Sequence, residues 1–119
     1  MEKILFVIND APYGTEKMFN AMRMSISLLK EHQGEVKVMI FLLGDAVTAM
    51  LPDQELPPGY YNIEKMVKTI LNNGGVIKAC GSCSKARGIE ELDLIDDIEI
   101  STMSQLSKWT VEADKVLTF

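Results

Sequence analysis

Cysteine and histidine are scarce in this chain of 119 residues, which has Cys80, Cys83 and a single histidine, His32. A structural zinc site needs four ligands, so this donor set supports one only if subunits share ligands. No metal and no other cofactor is expected. Basic residues are outnumbered by acidic ones, 12 against 17, for a net charge of −5. That balance argues against non-specific nucleic-acid binding, which needs basic surface to displace counterions from phosphates. No apolar run approaches the roughly 20 residues that cross a bilayer. The run at residues 4–8 is too short even for the apolar region of a signal peptide. A soluble cytoplasmic protein is expected, without a membrane partner, in a compartment that keeps thiols reduced. No glycine-rich dinucleotide or P-loop phosphate motif occurs. Repeats, low-complexity tracts and internal boundaries are also missing, and the length suits one domain over residues 1–119. Such a chain buries a sizeable core without disulfides.

Apolar strands alternate with helical periodicity. Residues 4–8 and 36–43 are near-continuous apolar stretches, as expected of strands covered on both faces. Met18, Met22, Ile26 and Leu29 share one helix face between 15 and 31, and Gly34 is placed to end that helix in a left-handed conformation. Ile63, Met66, Val67, Ile70 and Leu71 predict a second amphipathic helix. Residues 76–79 read as a third strand, with Cys80 immediately after it, and 82–87 as a short helix. Residues 98–100 read as a weak fourth strand. Thr102 and Gln105 form a capping box for a helix carrying Met103, Leu106, Trp109 and Thr110, and 115–118 closes the chain as a fifth strand. Strands separated by helices imply parallel pairing through right-handed crossovers. The fold class expected is α/β, a three-layer α/β/α domain with a five-stranded, mainly parallel sheet. Residues 44–62 are irregular, broken by Pro52, Pro57, Pro58 and Gly59. A loop of that length is usually a lid or a contact surface. Its apolar part, 46–61, is expected to be an exposed patch at an oligomer interface. Tyr60 and Tyr61 read equally as lid, oligomer contact or packed anchor.

The chemistry points to Ala79-Cys80-Gly81-Ser82-Cys83. A cysteine at a strand-to-helix junction meets free N–H groups that favour its thiolate, and Lys78, Lys85 and Arg87 add cations nearby. Cys80 is expected to face the mouth formed by the strand ends and to be the nucleophile. Cys83, one helical turn on, is expected to be an auxiliary thiol shielded by helix packing. Sites in parallel sheets form at strand carboxyl ends where the strand order reverses. Asp10, Gly44 and Asp45, with Gly81 and Ser82, are the candidate substrate-binding residues of that mouth. The plainer readings remain alongside: the cysteines as small apolar packing, the aspartates as turn residues, the methionines as core, and His32 as a solvated or capping residue.

Three segments carry a resemblance that covers nearly the whole chain. They are the opening strand with its Gly14-Thr15 helix start, Phe41-Leu42-Leu43-Gly44-Asp45-Ala46-Val47, and Cys80-Gly81-Ser82-Cys83-Ser84-Lys85-Ala86-Arg87-Gly88-Ile89. The chain resembles the DsrE/DsrF-like family of sulfur-relay proteins, in its YchN-like branch. That family's sulfur-carrying cysteine lies eight residues before the glycine of an Arg-Gly pair, the relation of Cys80 to Gly88. The resemblance implies a three-layer α/β fold, trimers or hexamers, and a persulfide passed between sulfur donor and acceptor proteins or small thiols. Cys83 departs from the pattern of the sulfur-relay members. Three functions therefore stay open: a sulfur carrier or sulfurtransferase using Cys80, a thiol-disulfide redox protein using Cys80 and Cys83, and a non-enzymatic oligomeric binding module.

Overall fold

The computed structural model describes residues 1–119. Strands β1 (Glu2–Ile8), β2 (Val36–Leu42), β3 (Val76–Cys80), β4 (Glu99–Ser101) and β5 (Lys115–Thr118) form one sheet in the order β4-β3-β2-β1-β5. All four pairings are parallel. The connections are α1 (Lys17–Glu31), a 3₁₀ segment (Gly44–Met50) followed by α2 (Ile63–Asn72), α3 (Gly81–Ala86) and α4 (Met103–Glu112). The expected α/β architecture is present, and each predicted element lies within two residues of its expected ends.

The two faces of the sheet follow from the alternation of side chains along a strand. Phe41 on β2 meets Trp109 of α4 edge-on, with ring centroids 6.1 Å apart. Ile40 and Leu42 therefore point to the other face, where α1 and α2 pack against each other. The central strands β1 and β2 are apolar throughout their middles because both faces are covered: Leu5, Phe6, Ile8, Ile40, Phe41 and Leu42 are all fully buried. Their pairing runs without slip from Glu2↔Val36 to Ile8↔Leu42. This register brings the carboxyl ends of β1 and β2 level.

Local signals set the helix ends. Asn62 caps α2, its side-chain oxygen accepting the Lys65 N–H at 3.1 Å. Thr102 caps α4 through the Gln105 N–H at 3.2 Å, and Gly34 takes φ +83° beyond α1. Met103 lies outside the core, largely exposed at the first turn of α4, while Leu106 and Trp109 hold that helix to the sheet.

Two expectations are corrected by packing. The apolar residues after Gly44 do not form an exposed patch: Ala46, Val47, Ala49 and Met50 are buried in the core. Three-residue turns put these four side chains on one inward face. Tyr61 is likewise an anchor, stacked on Phe19 at 4.2 Å and donating its hydroxyl to Thr15 O at 3.1 Å. Tyr60 is 56% exposed. The second correction concerns the place of the cysteines. Strand order reverses between β1 and β5, and there the chain terminus closes the end of the sheet, with the Asn9 N–H bonded to Phe119 O at 2.9 Å. Cys80 ends β3, on the far side of β2.

Candidate functional site

Cys80 is both the last residue of β3 and the N-cap of α3. Its sulfur accepts the Cys83 N–H at 3.3 Å and lies 3.3 Å from the Ser82 hydroxyl. The turn is braced from behind. Buried Ser84 donates its hydroxyl to Cys80 O at 2.8 Å, and Gly81 is pressed against β4. A Cβ on Gly81 would stand 3.1 Å from Ser101 O and 3.2 Å from Ile100 Cγ2, so glycine is what lets β4 approach the start of α3.

The second thiol faces the end of β2. Gly44 follows the strand with φ +54°, a conformation that L side chains with a Cβ rarely adopt. Its N–H acts to lower the Cys83 thiol's pKa, against the effect of burial. Arg87, one turn after Cys83 on the same side, ties the two elements together. Its Nε and Nη2 both lie 2.9 Å from Asp45 Oδ1, and its Nη1 donates to Cys83 O at 3.1 Å. The Gly44 Cα also sits close to the end of β1, a Cβ there falling 3.5 Å from Asn9 O. The ends of β1, β2 and β3 thus converge, as expected, on Cys80, Ser82, Cys83, Gly44 and Asp45. Asp10 is not among them: its carboxylate takes the Thr15 hydroxyl at 3.3 Å and the Lys17 ammonium at 3.6 Å, at the start of α1.

The two thiols differ in acidity in the expected sense. Burial pushes the Cys80 thiol up, but hydrogen bonds from the Cys83 thiol, the Ser82 hydroxyl and the backbone N–H groups of Cys83 and Ser82 outweigh it, so the pKa is lowered. Burial pushes Cys83 up, its contact with Cys80 adds to that, and the Gly44 N–H and Arg87 oppose it without reversing it. The source of the Cys80 shift differs from expectation. Hydrogen bonds lower it, and cations do not. Lys78, on the same side of β3, turns its ammonium to the Trp109 ring at 5.0 Å and to Glu99 at 3.6 Å. Lys85 projects into solvent. Exposure is also the reverse of expectation: Cys80 is 5% exposed, whereas Cys83 is half-buried. Capping α3 draws the Cys80 sulfur under the turn that Cys83 covers.

Arg87, expected as a cation near the Cys80 thiolate, serves Cys83 and Asp45 instead. Its i, i+4 relation to Cys83 was visible, but its grip on Asp45, 42 residues away, depends on the fold. Neither thiol lines the larger surface hollows. One of about 390 Å³ lies between Pro52, Glu64 and Asp96, and one of about 420 Å³ lies between Gly14 and Tyr60. His32 is exposed beyond α1, 3.3 Å from Glu35, far in sequence and role from the thiols.

Comparison with known proteins accords with this fold. The model of the DsrE/DsrF-like family matches residues 2–119. Protein YchN of Escherichia coli is 44% identical over 119 residues, covering 100% of both chains. Its crystal structure superposes with a TM-score of 0.92 over 100% of both chains. An uncharacterized protein of Methanopyrus kandleri is 39% identical over 100% of this chain and 95% of its own. A protein of unknown function from Methanobacterium thermoautotrophicum, 15% identical, shares the fold with a TM-score of 0.77 and full coverage of both chains.

Proposed function

The chain belongs to the DsrE/DsrF-like family, and on that premise we propose that it is a persulfide carrier of sulfur relay whose working sulfur is Cys80. One observation carries the reading. The Cys80 sulfur is held at the first turn of α3 by the Cys83 N–H and the Ser82 hydroxyl, with its pKa lowered. A thiolate so held attacks the outer sulfur of a donor persulfide, and the donor leaves as its thiolate. Cys80 then carries the sulfane sulfur. An acceptor thiolate attacks that outer sulfur in turn, and Cys80 departs as thiolate, a step that a low pKa favours.

The shape of the site suits partners that bring the sulfur to it. Cys80 is 5% exposed and opens into none of the larger hollows. A slender persulfide or thiol, extended from a docked donor or acceptor protein or belonging to a small thiol, fits this approach. Gly44, Asp45, Gly81 and Ser82 form the rim it crosses. A homotrimer or homohexamer in the cytoplasm is the setting proposed, with sedimentation as its test. No helix is long and apolar enough to cross a membrane.

Incubation with glutathione persulfide, followed by intact mass measurement, tests the reading. The native chain, trapped by alkylation within moments of exposure, is expected to gain one sulfur atom and Cys80→Ser none. Equal gain by both refutes it. The thiol-disulfide alternative is favoured by the contact between the two thiols. Under that alternative, mild oxidant removes two hydrogens while persulfide donors leave the chain unchanged.

A further inference from the structure

We infer that Cys83 is a resolving thiol, which attacks the inner sulfur of a persulfide on Cys80, closes a Cys80–Cys83 disulfide and expels the outer sulfur as hydrosulfide. The chain would then act as a persulfide reductase when no acceptor is docked. This rests on the persulfide reading above and adds an activity to it.

Three features of the site support it. The first is reach. Residues three apart in ideal helical geometry have Cα atoms about 5 Å apart, inside the range of roughly 4.4–6.8 Å that disulfides span. The Cys83 N–H already lies on the Cys80 sulfur, the atom to be attacked, at 3.3 Å. The second is that the electrostatic devices around the site are divided between the thiols. Ser82 serves Cys80. The Gly44 N–H and the Arg87 charge act on Cys83 instead, and the Arg87 clamp on Asp45 and Cys83 O fixes both of them there. The third is position. Cys80 is buried, Cys83 is half-buried and both thiols are free, so Cys83 is the more open of the two.

The step balances without an outside oxidant. The Cys83 S–H gives its proton to the outer sulfur of the persulfide. The Cys83 sulfur forms a bond to the Cys80 sulfur as the bond between the inner and outer sulfurs breaks. The outer sulfur leaves with that electron pair as hydrosulfide, reduced, and the Cys83 sulfur is oxidised to the disulfide level. Because both partners sit on one turn, the attack is unimolecular, whereas transfer outward waits for an acceptor. Exchange with a cellular dithiol restores the two thiols.

The test loads the native chain and Cys83→Ser anaerobically with glutathione persulfide, removes excess donor, and follows sulfide release and intact mass without reductant. The native chain is expected to release one sulfide per sulfur loaded and to end two hydrogens lighter than the reduced form. Cys83→Ser is expected to keep its added sulfur and release only background sulfide. Cys83→Ala, with folding checked by near-ultraviolet dichroism, should behave as Cys83→Ser does. If the native chain holds the added sulfur as long as both variants do, the resolving role is wrong and the carrier reading stands. If neither chain ever takes up sulfur or releases sulfide, the carrier reading fails and this inference with it.

Discussion

Ser82→Ala should raise the pKa of Cys80 and cut its thiolate fraction below the midpoint about fivefold. The Cys80 sulfur has the Ser82 hydroxyl at 3.3 Å and the Cys83 N–H at 3.3 Å, with the Cys83 thiol as a further donor. The substitution removes the hydroxyl and leaves the backbone donors in place. A hydrogen bond to a charged acceptor contributes about 1.5–3 kcal/mol. Sulfur at this distance is a weaker acceptor, and the rim admits water in place of the hydroxyl, so about 1 kcal/mol is the working figure. At about 1.36 kcal/mol per tenfold change in an equilibrium, this gives the stated fivefold. The assay is iodoacetamide alkylation across pH, with each cysteine followed by fragment ions of the peptide that carries both. The Cys80 midpoint should move up, while Ser107→Ala on the exposed face of α4 leaves it in place. The sign for stability follows from the lowered pKa. The stabilisation is complete above the ordinary thiol range and is lost as pH falls through the lower folded value. Ser82→Ala narrows that window. An unchanged or lowered Cys80 midpoint would refute the claim that side-chain hydrogen bonding activates this thiol.

Other perturbations probe the frame around the site. Phe41→Ala removes a fully buried ring that meets Trp109 and should cost about 3–5 kcal/mol, read as a lower urea midpoint by Trp109 fluorescence. Gly44→Ala places a Cβ at φ +54° and should cost roughly 1–2 kcal/mol, measured by the same denaturation. It should also disturb Cys83 alkylation more than Cys80 alkylation, since the Gly44 N–H acts on the Cys83 thiol's pKa and not on that of Cys80. Glu64 is held below the ordinary carboxylate range by its hydrogen bond to Lys68 and by the Asp53 N–H at 2.7 Å. Its stabilisation is therefore complete above that range and lost as pH falls through the lower value. Glu64→Gln should flatten the acid limb of a stability-against-pH curve; a limb of unchanged slope would count against this.

The parts of the fold that were legible in the sequence are those set by local pattern. Continuous apolar runs marked β1 and β2 because both sheet faces are covered, and Thr102 and Gln105 marked the start of α4 through a local cap. The Cys80 junction was legible for the same reason: the sulfur is bonded by groups two and three residues on. What was not legible depends on distant packing. The spacing of Ala46, Val47, Ala49 and Met50 resembles a short helical face, but prolines on one side of it suggested an open loop, and only contact with α2, α3 and β3 buries it. Lys78 looked like a cation beside Cys80 until Trp109 and Glu99 were in place to hold it. The exposure of the two cysteines could not be ordered from spacing alone, because it turns on which sulfur folds under the first turn of α3. Asp10 and Asp45 illustrate the same limit. Both follow strand ends, yet one is held by Thr15 and Lys17 and the other by Arg87.

The central claim is that sulfane sulfur resides on Cys80. The most direct measurement is peptide mapping of the native and Cys83→Ser chains, trapped by alkylation within moments of exposure to glutathione persulfide. The added sulfur is expected on Cys80 in both chains, located by fragment ions of the peptide that carries residues 80 and 83, and none on Cys83 of a Cys80→Ser chain. Added sulfur found first on Cys83, or retained in full by Cys80→Ser, would contradict it.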